Sequence, residues 1–139
     1  MINNAGDLGI GLNTIVVTLW AGSAITAKQN VKLDTSQTGE DRVKYVVPDD
    51  GSALFVGVAL EAQATTGGDV RVAVAGYVEA AVGDGSVASG EPLMPKAGSV
   101  FDTHDAGALP MVGVALEDDA PAVDICLSGY GLNLLGMIK

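Results

Sequence analysis

At 139 residues the chain suits a single domain. A 48% hydrophobic content with 19 glycines but only 4% aromatics describes a globular protein assembled from small and β-branched residues. The formal net charge of −10 repels phosphate backbones and argues against a nucleic-acid partner, and the lone Cys126 excludes an intrachain disulfide framework.

The chain opens with "MINNAGDLGIGLN" (Met1–Asn13), where Ile2, Leu8, Ile10 and Leu12 are spaced among Asn and Gly without alternation. It reads as an extended arm. Leu8 to Ala27 is a run of 20 residues without a charge, long enough to cross a bilayer. Four of them are Gly or Ser, the apolar core is only Ile15–Trp20, and no basic cluster precedes it. Neither a membrane span nor a signal peptide fits.

Strands are expected at Thr14–Trp20, Val31–Leu33 and Arg42–Val47. In "VGVALE" (Val56–Glu61) alternation puts Val56, Val58 and Leu60 on one face and Gly57, Ala59 and Glu61 on the other. A turn of helix fits near Ala62–Thr65. In "VRVAVA" Val70, Val72 and Val74 face one way. Further strands are expected at Tyr77–Ala81, Pro92–Pro95 and Ser99–Phe101, and at a last run in which Val123, Ile125 and Leu127 alternate with Asp124, Cys126 and Ser128. Gly/Asp turn clusters separate them: "DDGS", "TTGGD", "GDGS" and "KAGS". Short strands at this spacing predict an all-β fold, a small β-barrel or sandwich. The closing "GLNLLGMIK" (Gly131–Lys139) carries Leu132, Leu134, Leu135, Met137 and Ile138, so it either packs onto the barrel or meets a partner.

"VGVALE" occurs twice, at Val56–Glu61 and Val112–Glu117. A turn and an alternating run follow each copy, and each run ends in Gly-Tyr: "VRVAVAGY" (Val70–Tyr77) and "VDICLSGY" (Val123–Tyr130). Upstream, Ile25–Leu33 loosely matches Val87–Met94. The chain therefore reads as two diverged internal repeats. The organisation is residues 1–20 as arm and first strand, 21–130 as the barrel domain with copies at 21–80 and 83–130, and 131–139 as an apolar tail. Each copy is too short to bury a good core alone, so the two are expected to share one barrel.

Catalytic signals are sparse. His104, the only histidine, has no nucleophile motif beside it and reads as a loop residue; Cys126 reads as a small strand residue. "GIGLNT" (Gly9–Thr14) lacks a third glycine and a preceding strand. The pairs Glu40-Asp41, Asp49-Asp50 and Asp118-Asp119 lack the spacing of a calcium loop and fit turn chemistry. No cofactor or metal is expected. Gly57, Ala59, Gly113 and Ala115 share one phase in both copies, which implies close packing there, either by another layer of the barrel or by a neighbouring subunit.

The series "AGSAITAKQNVKLD", "LFVGVALEAQATTGGDVRVAVAGYVEA", "SVASGEPLMPKAGSVF" and "MVGVALED" resembles the small capsid decoration proteins of tailed bacteriophages, also called cement or head-stabilisation proteins, over roughly residues 21–130. The elements that carry the resemblance are Gly57–Glu61, Gly67–Gly76, Val87–Leu93 and the second "GVALE" at Gly113–Glu117. It implies a compact barrel on the outer capsid surface of the virion, commonly a homotrimer, that bridges subunits of the major capsid protein against internal pressure. Such a protein is non-enzymatic and has no nucleic-acid or membrane partner. Candidate contacts to capsid or subunit are Ile2, Leu8, Ile10, Leu12, Gly57, Ala59, Gly113, Ala115, Leu134, Leu135 and Met137. Two rivals remain: a carbohydrate- or host-surface-binding module displayed on the virion, which the low aromatic count disfavours, and a small β-barrel enzyme.

Overall fold

A computed structural model describes residues 13–105, 107, 109–119 and 122–136. Its strands are β1 (Ile15–Ala21), β2 (Asn30–Leu33), β3 (Tyr45–Pro48), β4 (Phe55–Ala59), β5 (Asp69–Val82), β6 (Pro92–Lys96), β7 (Val100–Thr103), β8 (Gly113–Ala115) and β9 (Ala122–Leu127). A 3-10 turn at Gly39–Val43 takes up the start of the strand expected at Arg42–Val47. The expected helical turn near Ala62–Thr65 is a bend held by the Gln63 side chain, which donates to Asp69 O and accepts from the Thr65 amide. Helix appears instead at α1 (Tyr130–Leu134), too short to show a period in sequence.

Strands β1, β3, β2, β4 and β5 pair in that order, and β1 pairs back onto β5, closing a five-stranded barrel. All pairings are antiparallel except β1 with β3, which runs parallel through Trp20↔Tyr45 and Ala21↔Val46. The alternation of "VRVAVA" fills the interior: Val70, Val72 and Val74 meet Leu19, Ala21, Val31, Leu33 and Val46. α1 packs its Leu132 against this cluster, with Leu134 and Leu135 half-buried beside it.

The two predicted strands on either side of Gly76 are one, β5, of 14 residues. Ala75 is its last partner for β1 and Gly76 its first for β9. Beyond that point β5 starts a second sheet, β5-β9-β8-β6-β7, whose far edge returns through a parallel bridge between Phe101 and Gly83. Val123, Ile125, Leu127, Leu93 and Phe101 fill its interior together with Phe55, Val58, Leu60 and Ala73 from the barrel. Phe55 meets Phe101 edge-on at 5.8 Å.

The two circuits pair their strands in the same order, and single bonds recur. The Lys28 amide donates to Ala59 O at 2.7 Å and the Gly90 amide to Ala115 O at 2.8 Å. The Leu60 amide donates to Arg71 O at 2.9 Å and the Leu116 amide to Asp124 O at 2.8 Å. The two "VGVALE" segments thus hold matching places in adjoining circuits rather than in one shared barrel, because β5 gives each half its own ring of partners.

One alternation breaks. Val31 pairs with Gly57 and Lys32 with Phe55, which leaves Val56 as an extra residue, a β-bulge. Val56 therefore joins the barrel cluster, while Val58 and Leu60 join the other. A buried polar seam ties the circuits together. The Asp49 amide donates to Asn30 O (2.9 Å), the Ser99 hydroxyl to Asp49 O (2.8 Å) and the Asn30 side-chain amide to Val100 O (2.9 Å). Asn30 and Asp49 are 0% and 1% exposed, yet Asn30 Oδ1 and Asp49 Oδ2 have no hydrogen-bond partner among the described residues. Burial pushes the Asp49 carboxyl above its ordinary value, and the Ser52 and Gly51 amides only partly oppose this.

Two outcomes are expected. A Cβ at Gly57 would strike the Ala73 carbonyl of the neighbouring strand. Gly57→Ala should therefore lose about 2–3 kcal/mol in urea unfolding, whereas Gly67→Ala, which has open space but φ +86, should lose about 1 kcal/mol. The native state binds the Asp49 proton more tightly than the unfolded chain. That contribution is present below the unfolded pKa of about 3.8 and is lost as pH rises through the higher native value. Asp49→Asn should stabilise the protein by about 1–2 kcal/mol at pH 7, with the gain shrinking toward pH 4. A gain that does not vary with pH would contradict this origin.

Candidate functional site

The sequence-derived candidates scatter. Ile2, Leu8, Ile10, Leu12 and Met137 lie outside the described residues. Gly57, Ala59, Gly113 and Ala115 are buried inside the protomer. Their small size serves close backbone approach: a Cβ at Gly113 would come within 2.6 Å of Cys126 O. They form packed layers of the fold and no surface. Leu134 and Leu135 pack on the barrel cluster.

The chemistry-bearing residues are also structural. His104 Nε2 lies 3.1 Å from Leu109 O, closing a loop. Asp49 Oδ1 accepts from the Gly51 and Ser52 amides (3.0 and 2.9 Å), which is turn chemistry, whereas Asp118 Oδ1 and Asp119 Oδ2 accept from the Ser89 and Gly85 amides (2.9 and 2.6 Å) some thirty residues away and tie two loops together. Tyr77 donates to Asp124 Oδ2 (3.0 Å), while Asp124 Oδ1 accepts from Ala80, the residue at φ +57 where β5 bulges. Burial and then this hydrogen bond push the Tyr77 hydroxyl up to about 12. Among the described residues no three His, Cys, Asp or Glu are grouped to share a metal, and no helix is long and apolar enough to cross a membrane.

A surface feature that composition concealed lies on the barrel's outer wall. The phase that turns Leu19 and Ala21 inward turns Thr18 and Trp20 outward, and Trp20 is 38% exposed. Trp20 pairs with Tyr45 on one side and Asp69 on the other, so β3, β1 and β5 present an in-register row Tyr45–Trp20–Asp69. The two rings meet at 5.3 Å and 58°, and Lys44 Nζ stands 5.9 Å from the indole centroid. Thr18, Leu19, Trp20, Lys44 and Asp69 line a cleft of about 410 Å³. Leu33, Asp34, Thr35 and Leu54, with Arg42 and Val43 of the 3-10 turn, line a second of about 280 Å³. The readable signal for the wall was the phase of Trp20 in "TLWA".

The architecture, then, is a closed five-stranded barrel continued through a shared strand into a second sheet. The solved structure of the head fiber gp8.5 N base in bacteriophage phi29 is similar to it, with a TM-score of 0.62 and 14% identity, covering 83% of this chain and 94% of that chain. At that identity the likeness is one of fold. No protein-family model matches the sequence, and no curated protein matches it.

Because its ring is 38% exposed but leans on Tyr45 and Lys44, Trp20→Ala should cost about 1–2 kcal/mol of unfolding free energy. Phe55→Ala, at the junction of the two circuits, should cost about 3–5 kcal/mol. Denaturant titrations followed by circular dichroism compare the two.

Proposed function

We propose that this chain is a non-enzymatic structural protein of a phage virion, bound to the outer surface of an icosahedral shell where it bridges and stabilises major capsid subunits. The observation that carries the reading is the fold-level match to a phage head fiber base, which spans nearly all of that chain. The polar residues support it: His104 and the paired Asp residues are engaged in loops and turns, a use that builds a rigid part. The matching circuits and the repeated "VGVALE" are consistent with two diverged copies of one unit.

The proposed contact surfaces are the N-terminal segment with Ile2, Leu8, Ile10 and Leu12, and the apolar side chains that flank β8 on either side, Met111 (45% exposed) and Leu116 (48%). Self-association as a homotrimer on the shell belongs to the same reading. Weak contacts multiplied by shell symmetry give tight overall attachment.

Co-sedimentation with assembled shells of the encoding phage tests it. The full chain should pellet with shells and raise their disruption temperature. A chain lacking residues 1–12 should keep the melting temperature of the free protein and lose most shell binding. If the full chain fails to bind shells, the reading falls. Full occupancy by the truncated chain moves the anchor to the Met111/Leu116 face.

A further inference from the structure

We propose that the outer wall of the barrel at Trp20 is a carbohydrate site that takes a neutral pyranose ring. The chain buries both of its phenylalanines inside yet leaves its one indole 38% exposed, on strands locked by pairing on both sides. Such a ring is preorganised, and a ligand that stacks on it meets little ordering cost. The cleft of about 410 Å³ is within the range of small-ligand sites.

The polar groups select the ligand class. The Asp69 carboxylate and the Thr18 hydroxyl make no side-chain hydrogen bond among the described residues, and Lys44, which stands 5.9 Å from the indole centroid, is held otherwise by a 3.6 Å exposed pair with Glu40. The cleft thus offers an acceptor, two donors and no net charge. An anion would meet Asp69 and a cation would meet Lys44 at close range. An apolar protein side chain would desolvate both charges without replacing their water. A sugar satisfies all of them: its ring C–H face lies on the electron-rich indole, and its hydroxyls donate to Asp69 and accept from Lys44 and Thr18. Tyr45, tilted against Trp20, supplies a second wall. This site is independent of shell attachment, and free protein suffices to test it.

The test is saturation-transfer NMR on the full chain with methyl glycosides of glucose, galactose, mannose, N-acetylglucosamine and N-acetylgalactosamine. At least one should bind saturably with a Kd on the order of 1 mM, and titration should shift the fluorescence of Trp20. Trp20→Ala and Asp69→Ala should each weaken binding by about tenfold or more while the circular dichroism spectrum stays that of the folded parent. No saturation transfer from any of the five overturns the proposal, as does binding that survives Trp20→Ala. A Trp20→Ala variant that loses shell binding while no glycoside binds the parent assigns the wall to a protein partner and likewise overturns it.

Discussion

The handover within β5 is the constraint on which the structure depends. A strand must pair along both edges or leave donors and acceptors bare. β5 meets this by exchanging partners between adjacent residues: Ala75 still faces β1 and Gly76 already faces β9. At φ +89 Gly76 turns the backbone at little steric cost, and a side chain there would strike the Asn13 carbonyl. Just beyond it the Thr14 hydroxyl donates to Tyr77 O at 2.7 Å, fastening the entry of β1 to the crossing point. Closure of the barrel and the start of the second sheet both follow from this step.

The charge distribution follows from the same geometry. Two adjoining circuits leave little polar surface inside, so the acids sit in turns and on outward phases. Several of the cations are tied down: Lys32 to Asp50, Arg71 to Glu61, and Lys96 to both Asp84 and Asp102. Burial opposes ionisation of Asp84, but hydrogen bonds from Lys96 and Ser86 prevail and hold its carboxyl well below the usual range. Each pair keeps at least one partner exposed to water, so it adds only modest stability.

Much of the fold was legible because alternation has a fixed period and small cores enforce it. Val70, Val72 and Val74, and again Val123, Ile125 and Leu127, lie on the expected faces. What escaped were single-residue events. The extra Val56 flips its neighbours' faces, and nothing in "VGVALE" marks it. Gly76 looked like a strand end because a glycine in the left-handed region usually is one. The small residues Gly57, Ala59, Gly113 and Ala115 are buried against strands of the same chain, whereas sequence alone does not say whether the neighbour is the same chain or another. The aromatic wall was hidden for another reason: counting rings across the chain says nothing about whether two of them share a row.

Considered as a mechanical part, the shared strand removes any hinge. Multidomain proteins usually bend at linkers that few contacts cross. Here the covalent path between the circuits is itself a strand, hydrogen-bonded to β1 and β4 on one side of Gly76 and to β9 on the other. Tension applied across the molecule loads those ladders along the strand direction, so many bonds must yield together. Whatever is attached to one circuit is held at a fixed distance and angle from whatever is attached to the other.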